Sequence, residues 1–176
     1  RAIHTFPFDN DSINEWKLLR RPMPGKSFFH GINELLPGNY LESNGNLVKF
    51  WTLEKSEAVF EQDKFESLLV DSIKGHCMSD VPVTSLLSGG LDSSAVVKAS
   101  GVDSAYTTGL IHNNEVKEAR EVANEIGVNL HEYCFSEVAM EEEWKRLVSV
   151  RGEPLSVPNE GLISLVCKEM GAENKV

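Results

Sequence analysis

Short apolar strands alternating with amphipathic helices from residue 57 onward predict an α/β protein built on a parallel, doubly wound sheet, preceded by an irregular N-terminal segment and a β-hairpin. Two further observations support this class. The glycine pair Gly89-Gly90 stands directly between the apolar run 83–87 and a helical pattern, and the later strand and helix units are spaced as right-handed crossovers require. Ligands of such sheets bind at the carboxyl ends of the strands.

Residues 1–38 are rich in aromatics, proline and glycine without sustained periodicity, from Phe6-Pro7-Phe8 through Arg21-Pro22-Met23-Pro24-Gly25 to Leu36-Pro37-Gly38, which predicts an irregular, docked segment. Residues 40–43 and 46–51 flank Asn44-Gly45, a pair that tolerates the positive φ values of a type I′ turn, and so predict a β-hairpin. The composition shifts near residue 56, giving two expected regions, 1–56 and 57–176. From Glu57 the period becomes helical, with Phe65, Leu68, Leu69, Ser72, Ile73 and Cys77 on one stripe and a stop before Pro82. Residues 83–87 form a strand, and the glycine loop leads into a helix carrying Ala95, Val96, Val97 and Ala99, with Gly101 as its left-handed stop. A second strand spans 104–110. The next helix uses Val116, Ala119, Val122, Ala123 and Ile126, with Asn114 as cap and Gly127 as terminator. A third strand spans 129–135. Ser136 then caps a helix whose early turns hold Glu137, Glu141, Glu142 and Glu143, favourable against the positive end of the dipole, with Met140, Trp144, Leu147 and Val148 facing inward. A last helix follows Pro158, using Leu162, Ile163, Leu165, Val166 and Met170. There is no internal repeat.

The bulk properties exclude some classes. A net charge of -10 opposes binding to a phosphate backbone, so nucleic acid is not expected as a partner. No apolar run approaches the roughly 18 residues of a membrane helix, so no membrane is expected either. Cys77, Cys134 and Cys167 are odd in number and far apart, which suits reduced thiols in a cytoplasmic protein, small buried hydrophobes by default. His4, His30, His76, His112 and His131 lack metal-ligand spacing. A start at Arg1 and a stop at Val176 just after a helical pattern suggest an excerpt from a longer protein, and a homodimer is compatible with everything read so far.

The chemistry concentrates in Ser88-Gly89-Gly90-Leu91-Asp92-Ser93-Ser94. After Leu87 the chain turns from strand to helix, and the glycines give it backbone freedom without bulk. Amide N–H groups, the positive end of the helix and the hydroxyls of Ser88, Ser93 and Ser94 then make a phosphate cradle. The lysine of a G-x-x-x-x-G-K-[ST] loop is missing and Asp92 is present, which argues against γ-phosphoryl transfer. Asp92 makes sense either as a ligand of a Mg²⁺ bridging phosphates or as an orienting group for the loop. A plain strand-to-helix turn is the alternative for two glycines alone.

The full seven-residue string resembles the PP-loop of the ATP pyrophosphatases, which cleave ATP between its α- and β-phosphates, and Val81-Pro82-Val83-Thr84-Ser85-Leu86-Leu87 resembles the strand before that loop in asparagine synthetases. Ile32-Asn33-Glu34-Leu35-Leu36-Pro37-Gly38-Asn39-Tyr40-Leu41, closed by Phe50-Trp51, is similar to the end of that family's amidotransferase half. The resemblance implies a glutamine-hydrolysing asparagine synthetase fragment: 1–56 ending the amidotransferase half and 57–176 beginning the synthetase domain, truncated. It implies ATP and Mg²⁺ as cofactors, with ATP at Leu87, Ser88, Gly89, Gly90, Asp92, Ser93, Ser94 and, on the base, Thr108, where the family carries an apolar residue. Asp92 would also serve catalysis and the metal. Arg151-Gly152-Glu153-Pro154 resembles a family Asp-Glu-Pro segment with glycine replacing the aspartate, and Glu153 is implied as a base for the attacking amine; its alternative is an exposed loop carboxylate. Glu115 and Glu118 fall where the family carries acidic residues, although beside Lys117 and Arg120 they also suit a solvated face.

The implied reaction adenylates the aspartate side chain, releases pyrophosphate and amidates it with ammonia from glutamine. The family's nucleophilic cysteine and its second motif, Ser-Gly-Glu-Gly followed by Asp-Glu, are absent from these residues, so the fragment alone is expected to lack full catalysis. A β-lactam synthetase or peptide cyclase relative, or an inactive nucleotide-binding module, remains an alternative, while a tRNA-modifying or GMP-forming relative is disfavoured by the charge and by the 32–51 segment.

Overall fold

The computed structural model describes residues 6–55, 57 and 59–172. Arg1, His4 and the terminal Asn174-Lys175-Val176 lie outside them. The chain divides into two compact units, Arg1–Ala58 and Val59–Val176.

The first unit is more regular than its composition suggests. It opens with a helix, α1 (Asn10–Leu19), where an irregular segment was expected. Its ends are fixed locally: the Asp9 carboxylate accepts the Ser12 N–H at 2.9 Å, and Arg20 takes a left-handed φ of 60° while donating its N–H to Trp16 O. The capping N–H of Ser12 holds the Asp9 carboxyl below its ordinary range. Capping, and not an apolar stripe, defines this helix, since Leu18 and Leu19 are exposed. The hairpin forms as β1 (Asn39–Leu41) and β2 (Leu47–Lys49), antiparallel with Tyr40 opposite Val48. Its turn differs from type I′. Gly45 alone takes a positive φ, 90°, while Asn44 does not, and Gly45 donates to Glu42 O as Glu42 donates to Asn46 O. The loop is therefore wider by one residue, and the Asn44 side chain accepts the Asn46 N–H within it.

The second unit is the α/β body. Its elements are α2 (Gln62–His76), β3 (Ser85–Leu86), α3 (Leu91–Ser100), β4 (Ser104–Leu110), α4 (Val116–Ile126), β5 (Asn129–Phe135), α5 (Glu137–Arg151) and α6 (Glu160–Ala172). The sheet is parallel in the order β3-β4-β5, with Leu86 beside Tyr106 and Thr108 beside Tyr133. Side chains alternate across β4, so Ala105 joins Leu87, Val97, Ala119 and Ala123 in one core, while Tyr106 joins Val166 and Met170 in another. Helices α3 and α4 thus cover one face and α6 the other, which is the doubly wound arrangement. Gly101 and Gly127 end α3 and α4 in the left-handed region, and Ser136 caps α5 by accepting the Ala139 N–H.

Three elements depart from expectation. Strand β3 is confined to two residues, shorter than the apolar run 83–87. Helix α2 starts at Gln62, and its stripe stays open: among the described residues none on α2 is buried, and Phe65 and Leu68 are exposed. Helix α4 is capped at Glu115, one residue after Asn114, although the Asn114 side chain still accepts the Val116 N–H.

Candidate functional site

The glycine loop is held by its own serines. Ser93 Oγ accepts the Ser88 N–H at 3.2 Å and donates to Gly90 O at 3.1 Å; Ser88 Oγ lies 2.9 Å from Ser93 Oγ and accepts the Gly90 N–H; Ser94 Oγ donates to Gly90 O at 2.7 Å. One proton assignment satisfies all of these contacts, with Ser88 donating to Ser93. Among the described residues no side chain caps α3, and the N–H groups of Leu91, Asp92 and Ser93, in its first turn, have no intrahelical acceptor at the positive end of the helix.

Gly89 is the residue that admits this geometry. Its φ is +80°, and a Cβ there would lie 2.6 Å from Glu118 C and 2.7 Å from Ala119 N, in the backbone of α4. The first glycine of the pair therefore serves two needs at once, a left-handed turn and close passage of a neighbouring helix.

A cavity of about 460 Å³ opens beside the loop at the carboxyl ends of β3 and β4. Leu86, Leu87, Ser88 and Ser93 line it from the loop side, Tyr106 through Gly109 from β4, Asn113, Asn114 and Glu115 from the start of α4, and Asn159, Leu162 and Ile163 from the start of α6. The beginnings of three helices thus converge on one space. Gly109 makes room for α4, since a Cβ there would fall 2.3 Å from Asn114 Cβ, and Asn114 in turn donates to Leu110 O at 2.9 Å. The volume suits a nucleoside, and the apolar and amide lining suits a base.

The expected site residues divide into three groups. Leu87, Ser88, Ser93 and Thr108 line the cavity, and Thr108 Oγ1 is buried without a hydrogen-bond partner among the described residues. Gly89, Gly90, Asp92 and Ser94 complete the loop beside it without forming the wall; Asp92 is exposed on the first turn of α3. Glu153 lies apart. It follows the Gly152 cap of α5, and its carboxylate accepts from Arg151 Nη2 at 2.8 Å without lining the cavity. Of the two acidic residues at the start of α4, the cap Glu115 lines the cavity and Glu118 does not. Among the described residues no three His, Cys, Asp or Glu side chains gather as a metal cage. A Mg²⁺ carried on phosphates needs only one or two protein carboxylates, and Asp92 at the loop is of that kind. No helix among the described residues is long and apolar enough to cross a membrane.

Periodicity did not reveal the support beneath the α6 wall. Glu143, which the sequence sets beside Glu137, Glu141 and Glu142 near the positive end of the α5 dipole, is 4% exposed and accepts from Arg146, from Ser164 Oγ at 2.6 Å and from Lys168. The start of α6 is fixed by Glu160, whose Oε1 accepts the N–H groups of Ser156 and Val157 and whose other oxygen pairs with Arg151. The Val157 N–H, more than any other contact, holds its carboxyl below the usual range.

Comparison with known proteins adds independent findings. Residues 64–176 match the family model described as asparagine synthase. The chain is 33% identical over 130 residues to asparagine synthetase B [glutamine-hydrolyzing] of Escherichia coli strain K12, covering 60% of this chain and 24% of that protein. It is 36% identical over 80 residues to asparagine synthetase [glutamine-hydrolyzing] 3 of Bacillus subtilis strain 168, covering 42% and 13%. It is also similar, at 27% over 156 residues, to amidase chyE of Penicillium rubens, covering 70% of this chain and 23% of that protein. The chain therefore spans about a quarter or less of the curated relatives it matches.

Proposed function

The chain belongs to the asparagine synthase family, and from that premise we propose that it is the ATP-binding part of an amide-forming ligase. In this reading ATP binds with its phosphates at the loop 88–94 and its base in the cavity between β4 and α6. The observation that carries it is the loop itself, a left-handed Gly89 wedged against α4 and followed by an uncapped helix start whose N–H groups are free for an anion.

The substrate carboxylate, that of aspartate, attacks the α-phosphorus; the bond to the β-phosphate oxygen breaks and pyrophosphate leaves. Ammonia derived from glutamine then attacks the activated carbonyl, forming the amide and releasing AMP. Asp92 is the residue that would hold a Mg²⁺ at the loop, and such an ion would supply charge neutralisation for the phosphates. The chain's own residues orient: the α3 amides bind phosphate oxygens, the serines keep the loop in register, and Asp92 would hold the metal. On the same reading the first unit is the end of an amidotransferase half, and Thr108 lies against the base.

Pyrophosphate–ATP exchange in the intact protein tests the proposal, and absence of exchange with every carboxylate offered would overturn it. Asp92→Ala is expected to lower exchange at least tenfold, while leaving thermal unfolding nearly unchanged because the side chain is exposed. Glu153 enters as the base only by resemblance. Glu153→Gln should reduce amide formation but spare exchange; equal rates of amide formation would remove it from the mechanism. The likeness to a protein named an amidase gives a second reading, amide chemistry on a substrate other than aspartate. Product analysis with the intact protein separates the two.

A further inference from the structure

Trp144 takes no part in the chemistry proposed above, yet it fixes one wall of the cavity. Its indole Nε1 donates to Pro158 O at 2.8 Å. Three residues on, buried Gly161 lies flat against the ring: a Cβ at Gly161 would stand 2.7 Å from both Cδ1 and Nε1 of the indole and 3.1 Å from Met140 Cγ. Between and beside these two anchor points come Asn159, Leu162 and Ile163, the residues of this segment that line the cavity. One residue earlier on α5, Glu143 holds the next turns of α6 through Ser164 and Lys168. The first turns of α6 are therefore tied at two places by adjacent residues of a single helix.

We propose that Trp144 is a positioning residue for nucleotide binding: by pinning Pro158 and Gly161 it holds Asn159, Leu162 and Ile163 as a preformed wall of the cavity. The inference rests on the ATP reading of that cavity. A wall ordered beforehand spares the ligand the cost of ordering it, so loss of the pin weakens binding more than it slows the chemical step. The hydrogen bond to Pro158 gives direction and the packed indole gives distance. Gly161 is needed because the ring occupies the place of a side chain.

The test is steady-state pyrophosphate–ATP exchange and direct ATP binding by the intact protein, below its unfolding temperature. Trp144→Phe keeps an aromatic ring but removes the indole N–H, and is expected to raise KM and Kd for ATP roughly five- to tenfold with kcat nearly unchanged. Gly161→Ala pushes on the ring and should act in the same direction. The double variant should lose less than the sum of the two, because Nε1, one of the two atoms nearest the added methyl, is gone. Trp144→Phe binding ATP as tightly as wild type would overturn the inference, and so would a fall in kcat at constant KM. A wild-type protein that binds no ATP overturns the nucleotide reading itself, and the two failures are told apart by that measurement.

Discussion

Gly89→Ala is expected to abolish exchange activity, by at least a hundredfold, and to destabilise the second unit by about 3 kcal/mol or more. Two costs add. A non-glycine residue at φ +80° costs about 1–2 kcal/mol, and the added Cβ meets backbone atoms of Glu118 and Ala119 at 2.6 and 2.7 Å. Those atoms cannot retreat cheaply, because Ala119 is fully buried against Leu87 and Val97. Relief must come from the loop, which would swing the α3 amides and the Ser88–Ser93 pair away from their present places. Gly101→Ala is the control. Gly101 shares the left-handed backbone, φ +69°, but a Cβ there meets nothing within 4 Å. It should lower the unfolding midpoint by a few degrees, corresponding to about 1 kcal/mol, with exchange retained. Thermal unfolding and exchange, measured on both variants of the intact protein, separate backbone strain from close approach; equal effects would remove the role of α4 in shaping the loop.

The legible parts of this structure were those written in neighbouring residues. Strands β4 and β5 run over 104–110 and 129–135, the spans the sequence predicts, and Gly101, Gly127 and Ser136 end or start helices because each acts on backbone within four residues of itself. The loop was readable for the same reason. Helix α1 escaped because its apolar residues make no stripe, and the Asp9 cap and Arg20 stop that define it sit in a segment crowded with proline and glycine. The α2 stripe is a helical pattern in the sequence, but a pattern does not supply a surface to cover it, and Phe65 and Leu68 stay exposed. The cavity amides Asn113, Asn114 and Asn159 come together only through the crossovers. Glu143 is the clearest case. Its neighbours Glu141 and Glu142 look identical in sequence, and what distinguishes it, Ser164 and Lys168, lies 21 and 25 residues away.

Glu143 ties α5 to α6 through these two contacts, from Ser164 and Lys168. Hydrogen bonds from Arg146 above all, then from Lys168 and Ser164, lower its pKa from 4.5 to about 2 against the opposing effect of burial. A carboxyl with a depressed folded-state pKa stabilises the fold fully above its unfolded value of 4.5, and that stabilisation is lost as pH falls through about 2. The contribution is on the order of 2 kcal/mol, less than the whole shift would give, because the Arg146 and Lys168 side chains are 45% and 48% exposed and screened by solvent. Glu143→Gln should therefore be less stable than wild type at pH 7 in urea unfolding of the intact protein, and the gap should close progressively from pH 5 toward pH 2.5. Other carboxylates with lowered pKa values, such as Glu132 beside Arg120, titrate in both proteins and cancel in the difference. Glu143→Ala goes further, since it leaves Ser164 and Lys168 facing a void in the joint, and should cost about 3 kcal/mol at pH 7. A gap that stays constant with pH would show that Glu143 acts by packing alone, and its ion pairs with Arg146 and Lys168 would then have no part in holding α6 against α5.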